Sequence, residues 1–508
     1  MSASFTDLLL FPIHLFETSI LEEELKPYLT DSKKVRIHLI EEPIYFGEHK
    51  LKMKFNKLKL VFHRASMKHY EAILTHIYGS NVHYHDYQEM KKTGYKFLSG
   101  AHQILAFDVV DFFLEEKLAK IKSSSSSKSS KSIITYLNSP SFIDTREDLE
   151  HFHTKINKSK TFYHATFYKW QKTHLKILED EPSHDTENRN NIPASLKIPS
   201  LPTNDSKLHS DVIKEAQSYV ERLFPDNYGN VENLVFPISH ETSKKWLMHF
   251  CKARLHSFGK YEDAVDAKRN FLFHSCISPM LNIGLLIPKD VVSVVSTYYK
   301  KHSASIGIAN YEGFIRQVIG WREYQRYIYR YGYEKITSSN HFGNDRTLNE
   351  TWYNGTTGIT PLDTVIKMAF DDGYIHHISR LMIVGNFMNL CGIKPVEAYK
   401  WFMEFSVDSY DWVMIGNVYS MALWCDGGLS MRKPYISGDG YIMKMGNFER
   451  GEWNDIWNAV FYHFVVRNKE KLKHTYYAGM IKNWEKKSKT EQTKMIELSS
   501  KVIANITR

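Results

Sequence analysis

With 508 residues the chain is long enough for two or three domains with sizeable cores, and 66 Lys+Arg against 57 Asp+Glu leave a net charge of +9, which suits a polyanionic partner. The sequence holds no uninterrupted apolar run of about 18 residues, so no helical membrane span is expected. LLLFPIHLF near the start lacks a basic leader and a small-residue cleavage site, so a soluble, intracellular protein is expected. Cys251, Cys276, Cys391 and Cys425 are far apart with no C-x-x-C pair, a spacing that argues against zinc or iron–sulfur ligation and reads as buried free thiols in a reducing compartment.

To about Val110, short apolar runs (LLLFPIHLF, VRIHLIE, LKLVFH) alternate with helical segments such as 67–77, which predicts an α/β domain on a parallel sheet. Residues 121–132, IKSSSSSKSSKS, are low-complexity and cannot bury a core, so a disordered loop is expected. Residues 137–178 turn helical and aromatic, and TFYHATFYKWQKTHLKIL interleaves rings with cations. That pattern suits a splayed base or single strand, and equally an amphipathic helix capping a domain interface. Residues 179–207 read as a linker, and from Asp211 helix follows helix. Ser239 stands as a candidate N-cap. From Ile375 to Leu390, apolar residues recur at helical spacing, with His377 and Arg380 one turn apart. Gly392 and Pro395 end that helix and begin another. Alone, the histidine pair reads as well as a satisfied core pair. The basic tail from Glu470 predicts a structural helix pair with a solvated face.

The string GYxHHIxRLMxxGNF, followed by KPxEAYKWF, VDxYDWV and DGGLSxxKPY, resembles the photolyase–cryptochrome flavoproteins. More narrowly it is similar to the bacterial iron–sulfur branch of (6-4) photolyases and their cryptochrome-like relatives. The resemblance implies an α/β Rossmann-like antenna-type domain over 1–120 and a loop, helical segment and linker over 121–210. An all-helical FAD-binding catalytic domain follows over 211–508. The implied activity is FAD-dependent, light-driven repair of UV-damaged DNA, of (6-4) type, by a monomer. The alternative is a cryptochrome-like photoreceptor or a non-catalytic DNA-binding or structural relative. YFGEHK and the residues after it resemble the segment of the antenna domain, where relatives hold a lumazine-type chromophore. The Glu-Pro-x-Glu-Trp-Arg segment usual in the branch stands here as FDVVDFFLEEKL, without its Trp and Arg.

The same register implies site residues. Ser275, Ser278 and Asn282, with Tyr261 nearby, would hold the FAD diphosphate, although S-x-x-S-P alone is only a loop and a helix start. Arg380 and Asp408 would hold the isoalloxazine ring and ribityl chain, with Asn386 and Asn417 as further contacts; a plain buried salt bridge is the simpler reading. In GFIRQVIGWREYQR, Trp321 would stack on an extruded base while Gln317 and Glu323 hydrogen-bond it. His377 would be the catalytic acid and His376 its assistant.

Three departures from the family are expected to matter. Pro361, Glu449, Glu452 and Asp455 occupy the positions of the cluster cysteines, so no iron–sulfur cluster is expected. Met414 stands where relatives present Asn, Glu or Asp to flavin N5, and a thioether cannot offer the same hydrogen bond. For electron transfer Trp401 is kept, but Phe402 replaces a Tyr and Tyr353 a Trp, which predicts slow photoreduction.

Overall fold

The computed structural model describes residues 5–28, 34–99, 101, 103–121, 134–158, 161–184, 189–202 and 209–508. The Ser/Lys run from 122 onward, and 185–188 and 203–207 of the linker, lie outside the described residues. The chain forms two compact units. The first comprises Met1–Glu150, Pro202–His249 and Ile277–Val295; the second comprises His151–Leu201, Phe250–Cys276 and Ser296–Arg508. This division interleaves in sequence and does not follow boundaries at 120 and 210.

The first unit carries a five-stranded, all-parallel sheet of β1 (Phe5–Leu10), β2 (Lys34–Ile40), β3 (Val82–His85), β4 (Gln103–Phe107) and β5 (Ile134–Leu137), in the order β3-β2-β1-β4-β5. That is a Rossmann-type order, reversing at β1. Leu8, Leu9 and Leu10 are consecutive and fully buried, as strands of a parallel sheet covered on both faces must be. LKLVFH is not a strand but lies within the helix Lys57–Tyr78, whose Asn56 cap accepts from Leu58 N at 2.8 Å. Every residue from Lys57 to Met67 is buried, so this end of the helix lacks the polar stripe that separates a helix from a strand in sequence. Arg64 on that helix pairs with Glu215 of the helix Ser210–Leu223 at 2.7 Å and with the fully buried Glu41 at 2.9 Å. Glu41 also accepts from Tyr84 and Tyr219 hydroxyls and from Tyr87 N, so its buried charge is satisfied.

The second unit is helical apart from isolated bridges, among them Arg346 with Ile393. Its buried tryptophans are tied by their ring N–H groups. Trp352 donates to Ile506 O at 2.9 Å, anchoring the C-terminal helix Lys489–Ile506, and Trp401 donates to Trp352 O at 2.7 Å. The expected cap at Ser239 accepts from Thr242 N in the first unit. Among the described residues no helix is long and apolar enough to cross a membrane.

Candidate active site

Three segments that carry predicted residues of the second unit are π-helical: Arg316–Arg322, Ser379–Gly385 and Ile415–Ala422. Such turns are uncommon and gather at functional sites, because the wider turn re-aims side chains. The helix expected from Ile375 begins only at His377, so His376 precedes it. The chain then runs through the π segment into Asn386–Cys391, Gly392 turns at φ 76°, and Pro395–Phe405 follows.

Arg380 Nη2 lies 2.9 Å from Asp408 Oδ1, so the pair expected from the resemblance is formed, with side chains 15% and 8% exposed. Arg380 Nε donates to Ile375 O at 2.6 Å, Nη2 reaches Ser406 Oγ at 3.3 Å, and Ser406 in turn donates to Asp408. The guanidinium also sits over the rings of Tyr374 and Phe405, at 5.2 and 5.3 Å. Ser406, Tyr374 and Phe405 thus complete a cationic anchor that motif reading assigns to Arg380 and Asp408 alone.

His376 is buried and stacks on His274, with centroids 4.7 Å apart and planes 12° from parallel. Its Nε2 lies 3.0 Å from Ser379 Oγ, and His274 Nε2 lies 3.1 Å from Glu262 O. Nδ1 of His376 is buried without a hydrogen-bond partner, while the Phe271 backbone lies near the His274 ring. Burial holds His376 well below the usual histidine range, with His274, His377 and Arg380 adding to the effect, and lowers His274 to about 4. His377 is exposed at the surface of its helix start, with protein crowded around the ring. Desolvation, then the Arg380 charge and then His274, lower it to about 4. His274 has no sequence signal: it lies in a loop far from the motif, and only the fold stacks it on His376.

Asn386 is fully buried and committed to the backbone and side chain of Ser437. Its Nδ2 lies 3.2 Å from Ser437 O and 3.1 Å from Ser437 Oγ, and its Oδ1 accepts from Ser437 N at 3.2 Å. Asn417 is half-buried; its Nδ2 donates to Val413 O at 2.8 Å and its Oδ1 accepts from Trp321 Nε1 at 3.3 Å. This bond joins two predicted segments, those of the lesion helix and the cofactor contact. Met414 is buried at the end of the short helix Asp411–Met414. One turn earlier, the fully enclosed Asp411 accepts hydroxyls from Tyr329 and Tyr399, both at 2.5 Å.

Trp321 and Gln317 are half-buried, whereas Glu323 has no exposed surface. Trp321 lies against His164 and Tyr324 with centroids at 5.1 and 5.4 Å, and Gln317 Nε2 donates to Glu262 Oε1 at 2.7 Å. His164 belongs to the aromatic helix His164–Leu175, which therefore packs on the Trp321 segment. Trp401 is fully buried, 4.8 Å from Phe405 and 5.2 Å from Phe402 between centroids. Phe370 stands 5.8 Å from it, and half-buried Tyr353 lies 6.1 Å from Phe370. A phenylalanine thus lies between the two predicted electron carriers.

Tyr261 is buried against Phe273 and Ala264, and Ser275 is half-buried, in the second unit. Ser278 and Asn282 lie on the six-residue helix Ser278–Ile283 of the first unit. Glu449, Glu452 and Asp455 are exposed and Pro361 is buried at the start of a helix. All four cysteines are free and buried, and desolvation raises Cys251 and Cys276 to about 12.

The family model described as deoxyribodipyrimidine photo-lyase-related protein matches residues 17–236. Over 318 residues the chain is 36% identical to a (6-4) photolyase of Agrobacterium fabrum, a match spanning 60% of this chain and 62% of that protein. An uncharacterized protein of Acanthamoeba polyphaga mimivirus is 46% identical over 125 residues, 24% of this chain and 98% of its own. Among solved structures, a Synechocystis cryptochrome aligns at TM-score 0.56 and 15% identity, covering 97% of this chain and 94% of its own. A class III photolyase from Agrobacterium tumefaciens aligns at 0.54 and 17%, covering 97% and 92%. At such identities the two structures speak for the fold, a parallel α/β region followed by a mostly helical remainder. The chain is thus similar in sequence to the deoxyribodipyrimidine photo-lyase-related family over residues 17–236 and to a (6-4) photolyase over 62% of that protein's length, and similar in fold to a cryptochrome and a class III photolyase.

Proposed function

We propose that the protein is an FAD-dependent, light-driven DNA repair flavoprotein that acts as a monomer on (6-4) lesions in UV-damaged DNA. The observation that carries this reading is the Arg380–Asp408 pair, formed at 2.9 Å on a π-helical turn with His377 accessible beside it. The residues fit a flavin: a cation and a carboxylate hold each other and keep some accessible surface, and the half-buried Asn417 adds an amide. Asn386 does not join them, since Ser437 occupies its amide. Bound flavin would supply the excited-state electron that repair requires.

The chain's own residues would then orient and protonate. Trp321 and Gln317 keep some accessible surface, so an extruded base would stack on the ring and hydrogen-bond the amide that now donates to Glu262. Glu323 is enclosed and would act only after the segment moves. His377, lowered to about 4, is neutral at pH 7 and gives up a proton only once an anion raises it. A DNA phosphate beside it is such an anion, which ties proton delivery to lesion binding. Illuminating the pre-reduced protein with a (6-4) oligonucleotide tests this. Repair that needs light and falls at least tenfold in His377→Asn is expected, and absence of light-dependent repair refutes it.

A photoreceptor role is the second reading, favoured by Met414 and by Phe370 between Trp401 and Tyr353; light-driven spectral change without lesion turnover would select it. The reading includes no iron–sulfur cluster, supported by carboxylates at three cluster positions, and iron content of the purified protein tests that. A lumazine-type antenna is the least supported part. Asp111 caps the helix Phe112–Ala119 and Asp108 pairs with Arg146, so the acids of FDVVDFFLEEKL already serve the fold. Chromophores released on denaturation decide it.

A further inference from the structure

Arg254 is a buried cation without a counter-ion. It is 1% exposed, and among the described residues it pairs with no carboxylate. Nη2 donates to two backbone carbonyls, Pro199 O and Ser200 O, each at 3.0 Å, while Nε and Nη1 are buried without an acceptor. Its titratable neighbours are His274 and the Cys276 thiol, both neutral at pH 7, in the loop that the resemblance assigns to the cofactor diphosphate. That loop is held in an unusual backbone course, with φ of 40° at Leu272 and 53° at Cys276. A guanidinium in a low-dielectric site is costly unless an anion meets it, and neutral carbonyls compensate it only partly.

The carbonyls come from a segment laid over the same loop. Asn190 N donates to Lys260 O at 3.4 Å, and Arg189 Nε lies 3.9 Å from Asp263 Oδ2. Ile192, Leu196 and Ile198 pack on the buried cluster of Tyr261, Ala264 and Phe273. Residues 189–201 therefore form a strap of modest apolar contact, pinned at one end by a charge that lacks an anion.

We propose that residues 189–201 are a lid over the loop 257–276, latched by Arg254, and that Arg254 exchanges the Pro199 and Ser200 carbonyls for the diphosphate oxygens of a bound dinucleotide. The ligand's identity rests on the flavin reading; the exchange of acceptors does not. Charge-assisted bonds to phosphate outweigh those to carbonyls, which gives the exchange its direction, and release of the carbonyls frees the strap.

Hydrogen–deuterium exchange of the intact wild-type chain, with and without inorganic pyrophosphate, tests the latch directly. Faster exchange in 189–201 on adding pyrophosphate is expected, and no change there overturns the proposal. For affinity, Arg254→Gln should weaken FAD binding about 10- to 100-fold and leave riboflavin binding unchanged, with Arg254→Lys intermediate. FAD affinity in Arg254→Gln within twofold of wild type, or equal loss for riboflavin, also overturns it. A chain that takes up no FAD yet opens its strap with pyrophosphate would refute the flavin reading and keep the latch. FAD uptake without any strap response would do the reverse.

Discussion

His14 offers a clean measure of what burial costs this fold. It is fully enclosed just after β1, ringed by Phe11, Phe16 and Phe107 at 5.7, 5.8 and 5.7 Å between centroids; neither ring nitrogen makes a hydrogen bond of good geometry, and the nearby Asp108 backbone and carboxylate offset burial only in part. Burial lowers its pKa to about 3. A histidine depressed in the fold contributes stability above its unfolded value near 6.5, and loses it as the pH falls from there toward about 3. At pH 4.5 the unfolded ring is protonated and the folded ring is not, which costs about 2 kcal/mol relative to pH 7. His14→Leu removes that titration and the unsatisfied nitrogens. Urea unfolding should show the variant more stable by about 1 kcal/mol at pH 7 and by about 3 kcal/mol at pH 4.5. If the two proteins lose stability in parallel between pH 7 and 4.5, the ring is reached by water or a partner and the reasoning fails.

Other residues lend themselves to similar tests. Desolvation keeps Asp411 above the usual carboxylate range. Asp411→Ala strands two tyrosyl hydroxyls, and thermal melts should show a loss of about 2–5 kcal/mol, whereas Asp411→Asn keeps an acceptor and should lose less than half of that. His377 should titrate near 4 in the ligand-free protein by NMR, and Arg380→Gln should move it upward; a value at or above 6.5 would remove Arg380 and desolvation as its controls. Trp401→Phe forfeits one hydrogen bond to Trp352 O but should slow flavin photoreduction at least tenfold, by transient absorption. In the wild type itself a prompt Trp or Tyr radical would contradict slow photoreduction through Phe370 and Phe402.

The parts legible in sequence are those where a local pattern or a long ordered motif carries the information. Alternating runs foretell the parallel sheet, and KPxEAYKWF foretells the helix Pro395–Phe405 with Pro395 in its first turn. LKLVFH misleads because a helix end buried on every side has no polar stripe to reveal its period. The π-helical turns are invisible for a related reason. Their extra residue per turn is imposed by packing, so faces drawn at 3.6 residues drift, and His376 falls outside the helix that periodicity gave it.

Family register locates residues but does not say which of their atoms are free to act, and hydrogen-bond accounting does. Arg380 and Asp408 form an ion pair and keep some accessible surface, so the pair can serve a ligand without dismantling the fold. Asn386 stands in the same register, but losing its amide would unpin Ser437, whose carbonyl also accepts from Trp457 Nε1 at 3.0 Å. Its substitution should therefore act first on stability and only through that on any cofactor. Arg254 presents the opposite case. No motif points to it, yet a buried cation with two unspent donors is a stronger statement about charge than a serine in a familiar spacing, because burial makes the missing anion costly.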